Sequence, residues 1–230
     1  MHTSLAAALA LVPLGSCLGA TIVYDNGIPS SSVNNGRVND PNFPVFLMSG
    51  DNFTLPASKL INQVSWLGSY KNGNLLPDAP DGFTLRFFAF NGANPAPVAF
   101  ATFAVGVVPR QLTLDTLSFG NPVFSYSANI PDTRLVAGTY LLSIMNSHAG
   151  TKQWLWDDQD AVLGDSYQMS SPGGPWTEYS GGGVSEFAFS LSNAPEPSAL
   201  LLLSFGVVLF GGHARPRSSL RNSLRATSAV

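Results

Sequence analysis

The sequence predicts an all-β fold, an antiparallel two-sheet sandwich of jelly-roll type, and three observations predict it. Apolar residues alternate with period two through much of residues 21–193, with almost no helical periodicity. Turn-forming clusters separate these runs: Asp25-Asn26-Gly27, Asn34-Asn35-Gly36, Asn72-Gly73-Asn74, Asp78-Ala79-Pro80-Asp81-Gly82 and Gly181-Gly182-Gly183. The composition agrees, because 22 Gly and 17 Pro supply turns while 45% hydrophobic residues and 15 Phe supply a core that disordered chains lack. About ten short strands at such spacing suit two packed sheets.

The elements follow in chain order. A first strand is expected at 22–24 and a second at 43–48. Leu60 to Tyr70 places Val64, Trp66 and Tyr70 on one face, and Gly82 to Phe90 does the same for Phe83, Leu85, Phe87 and Ala89. Further strands are expected at 98–105, 111–119, 122–128, 139–146, 152–156, 166–169 and 176–179. Near the end Phe187, Phe189 and Leu191 alternate against Glu186, Ala188 and Ser190. No repeat at a fixed period is present. A domain of roughly 170 residues buries about 70% of the surface of its unfolded chain, so it needs no disulfide to hold a core.

The two ends have a different character. Residues 4–20 carry no charge and are rich in Ala and Leu, the pattern of a signal-peptide helix with small residues before a cleavage point after Ala20. Leu14-Gly15-Ser16-Cys17 is the competing pattern, a lipoprotein box that would make Cys17 a lipidated first residue. At the other end Pro195-Glu196-Pro197 precedes an uncharged apolar stretch, 198–212, and then a tail, 213–230, holding Arg215, Arg217, Arg221 and Arg225. A helix over that stretch rises about 22 Å, short against a hydrocarbon core of about 30 Å, which suits a temporary anchor with its arginines on the cytoplasmic side. The three expected parts are therefore a signal peptide (1–20), a β domain (21–193) and a tail with a short transmembrane helix (194–230).

The order of Pro195-Glu196-Pro197, apolar segment and trailing arginines resembles the PEP-CTERM sorting signal. That resemblance implies export by a Gram-negative bacterium, membrane anchoring, and recognition by exosortase, with signal peptidase acting at the other end. It implies presentation at the cell surface or release into an exopolysaccharide matrix. It covers about 35 residues and leaves the β domain unassigned. Each proline fixes its own φ and biases the preceding residue away from helix, so Glu196 is expected in an extended, accessible segment. A rigid linker before an ordinary tail anchor is the plainer reading.

Charge and residue counts narrow the chemistry. Residues 21–197 hold all 14 acidic groups against seven basic ones (Arg37, Lys59, Lys71, Arg86, Arg110, Arg134, Lys152). An acidic domain repels a phosphate backbone, so no nucleic-acid partner is expected. His148 is the only histidine between the two terminal segments, and a chain cut after Ala20 has no cysteine. Histidine-based triads and zinc clusters therefore lack their residues, and no enzymatic activity is expected. A glycosidase pair drawn from Glu178, Glu186 and the Asp157–Asp160 group has nothing to single it out.

Two binding ideas remain. Trp154 and Trp156 share a strand face and Trp176 lies in a Gly/Pro-rich loop, so exposed rings there would form a stacking platform for extracellular polysaccharide. Core packing is the alternative. Asp157, Asp158 and Asp160 directly follow and offer hard oxygen ligands for Ca²⁺, but without an EF-hand pattern a solvated turn is the plainer reading and no cofactor is expected. The expected function is a structural or adhesive surface protein, with a carbohydrate-binding module as the alternative.

Overall fold

The computed structural model describes residues 19–27, 36–38, 47–71, 80–116, 122–147, 153–158, 165–179 and 186–194. The expected signal helix, Cys17, His148, Asp160, the 195–197 motif, the 198–212 segment and the four tail arginines lie outside them. No helix among the described residues is long and apolar enough to cross a membrane.

The described chain is all β. Its strands are β1 (Thr21–Asp25), β2 (Gly36–Val38), β3 (Met48–Leu55), β4 (Lys59–Tyr70), β5 (Gly82–Asn91), β6 (Asn94–Pro95) and β7 (Ala101–Val107). They continue as β8 (Gln111–Thr116), β9 (Pro122–Leu135), β10 (Gly138–Asn146), β11 (Trp154–Asp157), β12 (Ser166–Met169), β13 (Thr177–Glu178) and β14 (Phe189–Asn193). Two seven-stranded sheets result. In the first, long β4 pairs along one edge with β9, which also pairs β8. Its other edge carries β14 with β1 and then β11 with β2. The second sheet runs β13-β12-β3-β10-β5, with β6 and β7 both pairing β5. Every pairing between named strands is antiparallel.

The main core lies between the sheets and follows the predicted alternation. Val64, Trp66 and Tyr70 of β4 and Phe189 and Leu191 of β14 share one cluster with Phe83, Leu85 and Phe87 of β5. Aromatic pairs organise it: Trp66 stacks on Tyr126 at 5.6 Å and meets the Phe83 ring nearly edge-on at 4.9 Å. Such contacts contribute about 0.5–1.5 kcal/mol each beyond area burial.

A second core lies on the back of the second sheet, where Met48, Phe88, Leu141, Met145, Tyr167, Met169 and Trp176 pack together. Leu141-Leu142 and Phe87-Phe88 therefore feed both cores, one residue to each face, which fits a sheet covered on both sides. The other sheet turns a neutral polar ladder outward: Ser65 meets Ser127 at 3.0 Å, and Gln63 bonds Asn129 and Ser192 at 3.3 and 3.0 Å.

Three strands depart from expectation. β3 includes Gly50-Asp51-Asn52, residues that disfavour strands in isolation. β2 begins at Gly36, where a turn was expected, and gains its ladder from β11. β9 runs on to Leu135 because its register with β4 shifts between Ile61 and Gln63, and the bulge accommodates Pro131.

Candidate functional site

The three tryptophans do not form a sugar platform. Alternation does place Trp154 and Trp156 on one face of β11, but that face is the inner one, and both rings are fully buried. Trp156 stacks on Phe187 at 4.5 Å and donates its ring N–H to the Ala188 carbonyl. Trp154 packs edge-on against Phe83 at 5.2 Å. Trp176 seals the back core instead, edge-on to Phe88 at 5.0 Å, with its ring N–H donated to the Ala96 carbonyl at 3.1 Å. Core packing accounts for all three.

Asp157 and Asp158 are also buried, so they do not form a solvated turn. Among the described residues no group of three or more His, Cys, Asp or Glu could hold a metal. Asp157 Oδ1 accepts the Ser69 hydroxyl at 2.7 Å, while its Oδ2 has no hydrogen-bond partner among the described residues. Burial disfavours the charged form, so the Asp157 carboxyl is pushed up to about 8.

Two further carboxylates, neither marked by the sequence pattern, are structural nodes. Asp51 points inward from β3, where its Oδ2 accepts the Phe187 backbone N–H at 2.6 Å and the Asn26 side-chain amide at 2.8 Å. Burial again holds this carboxyl well above the ordinary range. Asp81, at the entrance to β5, gathers donors from four other parts of the chain. Its Oδ1 accepts from the Tyr70 hydroxyl and, at 2.9 Å, from the Asn146 amide. Its Oδ2 accepts from Tyr126 and Arg110, each at 3.3 Å, and the Arg110 guanidinium lies over the Phe124 ring at 5.5 Å. A buried charge is tolerated when it is paired and bonded in this way, so Asp81 reads as a staple and not as a general base.

Concavities are lined by the described residues at two places on the domain. One, of about 170 Å³, lies where Ser65, Ser125 and Ser190 border Trp66 and Tyr126. The other, of about 350 Å³, opens on the back of the second sheet over Met48, Phe88 and Met169. Arg86 lines it, and its guanidinium lies 2.9 Å from the Met145 sulfur. Half-burial lowers the guanidinium below its ordinary value, because an apolar surround disfavours the cation. Sequence reasoning missed this site, because its lining comes from segments far apart in the chain that only strand pairing brings together.

Set against known proteins, the chain matches no family model, no curated protein and no solved structure.

Proposed function

We propose that this chain is an exported, non-enzymatic surface or extracellular-matrix protein with a structural or adhesive role. In this reading a jelly-roll-like sandwich is delivered by a cleaved N-terminal signal helix and held by a short C-terminal transmembrane helix. Exosortase then recognises Pro195-Glu196-Pro197, with Arg215, Arg217, Arg221 and Arg225 as the basic stop.

The observation that carries the reading is the order of elements at the C-terminus: tripeptide, apolar stretch, arginines. The end of the domain is compatible with it. Asn62 clamps Ala194 by accepting its N–H at 2.7 Å and donating to its carbonyl at 2.9 Å, one position before Pro195. A structural role fits the carboxylates, since Asp51 and Asp81 are spent on internal bonds. The test is Glu196→Ala in a host that carries exosortase. This variant is expected to stay as the membrane-bound precursor, whereas release equal to wild type would reduce the motif to a linker.

A further inference from the structure

The pocket on the back of the second sheet has a composition the structural role does not use. Its floor is apolar, from Met48, Phe88 and Met169, and Val98 and Thr102 stand on its rim. Among the described residues, Arg86 is the one charged residue of its lining, and no carboxylate lines it. That guanidinium donates to the thioether of Met145, a weak acceptor. Arg110, by contrast, is committed to Asp81 at 3.3 Å. Arg86 therefore presents a partly desolvated fork of donors to a cavity that holds no countercharge among the described residues.

We propose that this pocket binds a carboxylate-bearing ligand of about one sugar ring, the chemistry of a uronic acid residue. A guanidinium pairs with a carboxylate through two parallel charge-assisted bonds, roughly twice as strong as neutral ones. One guanidinium neutralises one negative charge. A dianionic phosphate would bring a surplus into a domain with twice as many acidic as basic groups, which favours the monoanion. The volume of about 350 Å³ sits at the small end of ligand pockets and suits a single ring. The apolar floor meets the ring's C–H face, and the Thr102 hydroxyl at the rim meets a ring hydroxyl. A cation is disfavoured there despite the methionines, since Arg86 already occupies the sulfur of Met145.

This goes beyond the sorting reading and is independent of it, so either fails without the other. The experiment titrates the full chain with glucuronate, glucose and methyl phosphate by ligand-observed NMR at low salt, alongside Arg86→Gln and Val98→Asp. Val98 is 73% exposed, so its substitution adds a repulsive charge at the rim without touching the core. Glucuronate is expected to bind at least about tenfold more tightly than glucose or methyl phosphate, and both variants are expected to abolish that preference at unchanged melting temperature. Equal binding of glucuronate and glucose, tighter binding of methyl phosphate, or a preference that survives Val98→Asp would overturn the proposal.

Discussion

Oδ2 of Asp51 accepts the backbone N–H of Phe187 at 2.6 Å, so a side chain of one sheet holds the segment that leads into β14 of the other. Asn26 closes the arrangement by donating to the same oxygen at 2.8 Å and to the Phe187 carbonyl at 2.9 Å. Asp51→Ala leaves two buried donors without their acceptor, at about 1–3 kcal/mol each. At roughly 2–4 °C per kcal/mol for a domain of this size, calorimetry should record a fall of several degrees. A melt within error of wild type would remove Asp51 from the account of sheet docking.

Asp157 should make stability fall as pH rises. In the unfolded chain its carboxyl ionises near pH 4, whereas burial in the folded chain pushes it up to about 8. Between these values the folded state holds a proton that the unfolded state has lost, so the unfolding free energy declines with increasing pH. Asp157→Asn keeps an acceptor for Ser69 and cannot ionise. It is expected to lessen the pH 5–8 dependence, the raised Asp51 carboxyl supplying the remainder, and to exceed wild type at pH 8 by on the order of a few kcal/mol. Parallel pH slopes for the two proteins in denaturant titrations would contradict this.

The close approach of β4 and the Trp154 ring gives a steric test. A Cβ at Gly68 would lie 2.5 Å from Trp154 Cζ2, well inside contact distance. Gly68→Ala is therefore expected to cost about 1–3 kcal/mol by overpacking. All four tryptophan rings, Trp66 included, are buried and should resist collisional quenching by iodide in the wild type. Strong quenching that is lost when Trp154, Trp156 or Trp176 is replaced by Phe would return that ring to the surface.

Calcium should leave the melt of the full chain unchanged, since among the described residues no group of three or more His, Cys, Asp or Glu could hold a metal. A site with a dissociation constant of about 10⁻³ M would add roughly 1.4 kcal/mol at tenfold excess. A rise of that size, abolished by Asp158→Asn, would restore a metal to the Asp157–Asp160 segment.

Much of the sandwich was legible because period-two alternation records which residues a strand buries. Phe83, Leu85 and Phe87 lie in the main core as expected, and β12 spans the expected Ser166–Met169. Alternation does not say which of two sheet faces is inner, so Trp154 and Trp156 were paired correctly while their exposure stayed open. β3 was hidden because the residues that disfavour a strand there serve tertiary contacts. A Cβ at Gly50 would lie 2.7 Å from Leu141, and Asp51 supplies the bond between sheets. The Arg86 pocket was illegible as a site, since it gathers residues from separate strands and loops through pairing that a single sequence does not display.

Mass spectrometry of the native mature protein tests the central claim most directly, because export and sorting each create a new terminus. The account predicts a chain beginning at Thr21 and lacking the region from Ser198 onward, with that region retained in a host without exosortase. A mature protein that keeps residues 198–230 in the presence of the enzyme, or that begins at a lipidated Cys17, would contradict it.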